Sequence, residues 1–220
     1  MRNAHLSGLF RCFSPFLCFS ISVNACAAIR EESLTFLGLQ IGGGDTLAHA
    51  AQKLGKATEW RTGDASTSET KVCYRVQSAG VDVVIVFASG NEMSSPKGQI
   101  NNVRVYQSSL QYSQRALCAH LSLAPVSLST QDGLRVGLSE AEVRQKLGNK
   151  PLATKKFILY RSHQKRYFRK STKQYDTWIH RPECFEEPDK PYFHDFSSIE
   201  FRFSLGTVHY MEINRNQSVC

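Results

Sequence analysis

Apolar and polar residues alternate most cleanly toward the C-terminal end of the chain. Ile199, Phe201, Phe203 and Leu205 are separated by Glu200, Arg202 and Ser204, the period-two pattern of a strand with one wet face. Leu205-Gly206-Thr207 then turns the chain into a partner strand, Val208 to Ile213. An earlier stretch follows the same plan. Lys71 to Gln77 reads as a strand, Ser78-Ala79-Gly80 as a turn, and Val81 to Ala88 as a second strand; a Gly/Ser/Pro-rich loop then leads to Ile100 to Tyr106. Helical patterning is confined to two short segments. Ser139 with Glu142 forms a capping box, Leu138 and Val143 a hydrophobic staple, and Gly148 followed by Pro151 a stop. In the earlier segment Asp45 or Thr46 caps, and Leu47, Ala50, Ala51 and Leu54 form an apolar stripe before Gly55. Helices this short are marginal alone, so both must pack on sheet.

The two helical segments also resemble each other. Gly38-Leu39-Gln40-Ile41-Gly42 and Gln52-Lys53-Leu54-Gly55 are echoed by Gly133-Leu134-Arg135-Val136-Gly137 and Gln145-Lys146-Leu147-Gly148, about 95 residues later. That spacing fits a small domain rather than a solenoid repeat. The expected fold is therefore α+β, as two tandem units. Each is a short helix, or helix pair, followed by a three- to four-stranded antiparallel sheet. The units span 29–118 and 133–220, with 119–132 as connector.

Residues 1–28 read as a signal peptide. Arg2 and Arg11 supply its positive region, Cys12 to Val23 its apolar core, and Ala25-Cys26-Ala27 the small residues before cleavage. The core is too short to cross a bilayer, and no later stretch is long and apolar enough. The expected location is periplasmic or secreted. Val23-Asn24-Ala25-Cys26 also loosely matches a lipobox, so a lipoprotein anchored through Cys26 stands as the alternative.

Of seven cysteines, Cys12, Cys18 and Cys26 fall in the leader. Cys73, Cys118, Cys184 and Cys220 remain, an even number that in an exported chain points to two disulfides with three possible connectivities. The duplication selects one, Cys73–Cys118 in the first unit and Cys184–Cys220 in the second.

Gly133, Leu134, Val136, Gly137, Ser139, Val143, Leu147, Gly148 and Pro151 form a pattern that resembles the SmpA/OmlA (BamE-like) envelope lipoproteins. It also resembles the tandem repeats of β-lactamase inhibitory proteins, whose fold is related. Gly38, Leu39, Ile41, Gly42, Leu54 and Gly55 match in the first unit, with two glycines inserted. The resemblance implies an exported, non-enzymatic module that binds another envelope or secreted protein, as an assembly factor or inhibitor. It implies no cofactor and no particular contact residue.

Charge adds a second candidate function. Lys155, Lys156, Arg161, Lys165, Arg166, Arg169, Lys170 and Lys173 lie in one stretch without an acid, interleaved with Tyr160, Tyr167, Phe168 and Tyr175. The chain carries a net charge of +8, and these eight cations account for its whole basic excess. Such a segment attracts an acidic protein face, anionic lipid or polysaccharide, or serves as a solvated hairpin. Nucleic acid is disfavoured by the leader.

Other chemistry is sparse. Gly42-Gly43-Gly44-Asp45 lacks the lysine of a phosphate cradle and reads as a turn. His180, Cys184 and His194 match no zinc spacing, so no metal is expected. His49, His120, His163 and His209 are scattered singly, Asp195 and Glu200 could pair only through tertiary structure, and no nucleophile motif occurs.

Overall fold

The computed structural model describes residues 29–64, 68–78, 81–90, 98–108, 111–121, 128–148, 151–154, 157–167 and 191–218. A 3-10 turn at Glu31–Leu34 leads into a small hairpin of β1 (Thr35–Phe36) and β2 (Leu39–Gln40). Helix α1 (Leu47–Leu54) follows, then β3 (Trp60–Thr62), β4 (Glu69–Ser78), β5 (Val81–Gly90), β6 (Asn102–Tyr106) and β7 (Ala119–His120). Helix α2 (Glu140–Leu147) precedes β8 (Leu152–Ala153), β9 (Phe157–Tyr167), β10 (Tyr192–Ser204) and β11 (Thr207–Ser218).

Both helices start where their caps dictate. The Ser139 hydroxyl accepts from the Glu142 amide, and the Glu142 carboxylate accepts from the Ser139 amide at 2.7 Å. In α1 the cap is Thr46, and His49 closes the box through Nδ1. Asp45 instead accepts from the Gln40 amide at 2.7 Å, tying the glycine turn to β2.

One sheet of nine strands runs through the molecule in the order β3-β4-β5-β6-β11-β10-β9-β8, with β7 beside β4 in parallel. Except for β7, all pairings are antiparallel. The seam between chain halves is β6 against β11, in the register Asn102↔Asn214, Arg104↔Glu212 and Tyr106↔Tyr210. The helices cover one face over a single core. That core joins Tyr74, Ile85 and Phe87 from the first half to Ile199, Phe201, Met211 and Ile213 from the second.

This continuous sheet corrects the expected pair of tandem helix-plus-sheet units and the internal repeat drawn from them. It also overturns the SmpA/OmlA (BamE-like) resemblance, whose unit is a small separate sheet, and the periplasmic placement loses the support it took from that likeness. The physical reason is the edge of β6. Left unpaired, its backbone donors and acceptors would be an exposed template, and β11, distant in sequence, satisfies them. Matching local contacts do recur around the helices. Lys53 and Lys146 each donate to a carbonyl, of Gly38 and Asp132, at 3.0 Å, and Tyr74 and Tyr160 each donate to a helix-end carbonyl, of Gly55 and Gly148, at 2.8 Å. Those likenesses are local to the helix ends and do not divide the core.

The strand alternation at Ile199–Leu205 holds as far as Ser204. Leu205 is fully exposed, with φ of 51° beside Gly206 at 79°, so it occupies a two-residue hairpin tip rather than the strand.

Candidate binding face

The face of β9 and β10 turned away from the core carries the candidate site. Ile158 and Tyr160 in β9, with Ile199 and Phe201 in β10, are buried among the core residues. Alternation therefore places Arg161, His163, Lys165 and Tyr167 on the opposite face, beside Tyr192, His194, Phe196 and Ser198. The register pairs Tyr167 with Tyr192, Lys165 with His194, His163 with Phe196 and Arg161 with Ser198. Lys165 Nζ sits 3.7 Å from the centroid of the Tyr192 ring, a cation–π contact. His163 stacks on Phe196 at 4.3 Å with 11° between planes. Tyr167 and Phe196 remain 47 % and 43 % exposed. A shallow depression of about 450 Å³ opens beside Phe196, lined also by Arg161, His163, Ser198, Asn214 and Asn216.

The basic segment does not act as a unit. Arg161 is exposed and makes no ion pair among the described residues, whereas Lys165 lies over its tyrosine. Arg166 points to the core side, where it binds Glu31 and Asp195 at 2.9 Å each. Lys155, Lys156, Arg169, Lys170 and Lys173 lie outside the described residues, as do Cys26, His180, Cys184 and Cys220.

Cys73 and Cys118 are bridged, as the pairing expected, with their Cα atoms 4.6 Å apart. The bridge sits on the face away from the helices, packed with Val84 and Val86 and flanked by Trp60, Tyr106 and Tyr112. Burial, with the nearby Tyr106, raises the Tyr112 hydroxyl to about 12.

Two ion networks flank the sheet, one on each face. In the first, Arg215 donates from Nε and Nη2 to Asp195, and from Nη1 and Nη2 to Glu31. Arg215 and Asp195 are almost wholly buried. Burial alone would raise the Glu31 carboxyl, but the hydrogen bonds and charges of Arg215 and Arg166 hold it below the ordinary carboxylate range. The second network joins Glu69, Arg104 and Glu212 on the outer face. Tyr210 donates to Glu212 at 2.5 Å, and Asn102 donates to it at 2.7 Å. Burial opposes ionisation of Glu212, yet these donors and Arg104 win and lower its pKa; burial and the Glu212 contact push Tyr210 upward. A depression of about 630 Å³ lies over this network. Its cations already have partners, Arg104 in Glu69 and Glu212, Arg202 in Glu200.

The remaining candidates stay apart. Asp195 is buried on the core side of β10 and Glu200 faces the other way, so they form no carboxylate pair. His49 serves the α1 cap, His120 is exposed on β7, and His209 lies near Gln111. Among the described residues no group of three or more His, Cys, Asp or Glu side chains is placed to hold a metal. None of the described helices is long and apolar enough to cross a membrane. The glycine run is indeed a turn, and Gly42 has a reason beyond flexibility. Its φ is +64°, and a Cβ there would lie 2.7–2.9 Å from the Arg215 side chain.

Compared with family models, curated proteins and solved structures, the chain finds no match.

Proposed function

We propose that the chain is an exported, non-enzymatic protein that binds an acidic segment of another protein on the open face of β9 and β10. The observation that carries this reading is the mixed ladder on that face. Tyr167 and Phe196 are exposed aromatic anchors, flanked by Arg161 and by Lys165 over Tyr192. Buried aromatic anchors supply most of the energy of protein interfaces, and flanking cations select and steer an acidic partner. A second reading, binding of anionic lipid or polysaccharide through 155–173, draws on the same exposed Arg161. It is the weaker one because Arg166 is committed to Glu31 and Asp195 inside the fold.

The test places a photo-crosslinking amino acid at Phe196, at Tyr167 and, as control, at exposed Lys56 in producing cells. The proposal expects one protein adduct from the first two positions and none from Lys56. The crosslinked peptide should be acid-rich, and Arg161→Glu with Lys165→Glu should abolish the adduct. An adduct that survives charge reversal would contradict the reading. Lipid or polysaccharide adducts, with salt-sensitive binding to phosphatidylglycerol vesicles, would favour the second.

A further inference from the structure

Two imidazoles meet on the open face in a geometry that the protein-binding reading does not use. His163 is exposed on β9 and His194 half-buried on β10, diagonal neighbours across the strand pair. Nε2 of His163 lies 2.8 Å from Nδ1 of His194. Packing holds both rings in place. His163 lies flat on Phe196, and His194 stands edge-on to Tyr192 at 5.4 Å and 88°.

A neutral imidazole offers one donor and one acceptor nitrogen, so in one tautomeric arrangement the two nitrogens share a proton. With both protons on the outer nitrogens instead, the two lone pairs face each other at a repulsive distance, and a cation seated to one side of the nitrogen–nitrogen line would relieve that repulsion. We propose that His163 Nε2 and His194 Nδ1 form a bidentate site for a borderline divalent transition metal, with Cu(II) preferred. At a metal–nitrogen distance of about 2.0 Å, the observed separation subtends roughly 90°, the angle between neighbouring positions in tetragonal Cu(II) or Ni(II) coordination. A tetrahedral ion such as Zn(II) needs nitrogens about 3.3 Å apart at that bond length, so the rings would have to separate. Cu(II) also stands highest in the general order of divalent affinities. The exposure of His163 leaves water to complete the coordination. No carboxylate among the described residues shares this ladder position, and Arg161 and Lys165 on the same strand face oppose a dication. Affinity must therefore come from chelation rather than from the local field.

The untagged full chain is titrated with CuCl2 in a non-coordinating buffer, using a glycine competitor and electron paramagnetic resonance. The expected result is one tight copper equivalent whose spectrum carries superhyperfine coupling from two imidazole nitrogens, with Zn(II) bound more weakly. His163→Gln and His194→Gln should each weaken copper by about 100-fold or more, the loss expected when a two-point attachment becomes single. Should His194→Gln fail to fold, His163→Gln at its exposed position carries the test. Copper binding unchanged in His163→Gln, a spectrum without two coupled nitrogens, or Zn(II) bound more tightly than Cu(II) would each overturn the proposal.

Discussion

Replacing Asp195 with alanine should expose how much of the fold depends on the buried arginine beneath its sheet. The Arg215 and Asp195 side chains are 3 % and 4 % exposed. Asp195 accepts from Arg215 at 2.9 Å and 2.7 Å and from Arg166 at 2.9 Å. Its removal leaves the Arg215 guanidinium with Glu31 alone, at 2.7 Å and 3.0 Å, and that carboxylate is 43 % exposed. Breaking a buried pair by deleting one partner costs about 3–5 kcal/mol, mostly the desolvation of the charge left behind. Because Glu31 persists, the lower end applies, about 3 kcal/mol. For a domain of this size the melting temperature should then fall by roughly 6–12 °C. Urea denaturation followed by fluorescence and circular dichroism gives the free energy directly, provided both probes report one transition. Arg215→Met and the double variant complete the cycle. If an uncompensated charge is the source, the double variant should lose less than the sum of the singles, by about 1–3 kcal/mol. A loss below about 1 kcal/mol for Asp195→Ala, the scale of an exposed ion pair, would refute the reasoning, as would strict additivity.

Three further outcomes follow from the same contacts. Folding holds the carboxyls of Glu31, Glu69 and Glu212 below their ordinary value of 4.5. Their contribution is therefore complete above that value and is lost as pH falls through the lower folded values, because the unfolded chain then binds more protons. Urea midpoints should drop steeply below about pH 4.5, with a shallower drop in Glu31→Gln; a flat profile would contradict the networks. The Cys73–Cys118 bridge spans a sequence separation of 45, so replacing both cysteines with serine should cost about 4 kcal/mol by loop closure, and reductant should produce the same loss in denaturation curves. Gly42→Ala should be more damaging than Gly44→Ala by about 1–3 kcal/mol. Both glycines have positive φ, but only Gly42 presses on Arg215, while a Cβ at Gly44 meets open space; equal melting temperatures would remove that explanation.

Local signals carried much of this structure. The Ser139–Glu142 box and the strands around Val81–Ala88 and Ile199–Phe203 rest on residues close in sequence or in an adjoining strand, whereas the Cys73–Cys118 bridge, with a sequence separation of 45, was expected only from a duplication that the continuous sheet overturns. What sequence could not supply was the pairing of Asn102–Tyr106 with Tyr210–Asn214, since each strand alone satisfies the same alternation whether its edge is free or covered. Two separate sheets and one fused sheet share the same local pattern. The candidate face was half legible. Arg161 and Lys165 were named from charge, but a run of cations does not say which alternate ones turn inward, and Arg166 does. Asp195 and Arg215 left a usable trace, as charged residues on the core-facing phase of their strands. Phe196 and the His163–His194 contact left none, because the two strands are joined through a long intervening segment and meet only in the folded register.

β6 and β11 close the two chain halves into one sheet, and amide exchange with cross-strand nuclear Overhauser contacts measures that seam directly. Contacts should appear between Val103 and Ile213 and between Arg104 and Glu212, and amides of 102–106 and 210–214 should exchange as slowly as those in the middle of β5. Fast exchange along both segments, with no contact between them, would mean two separate sheets and would contradict the fold described here.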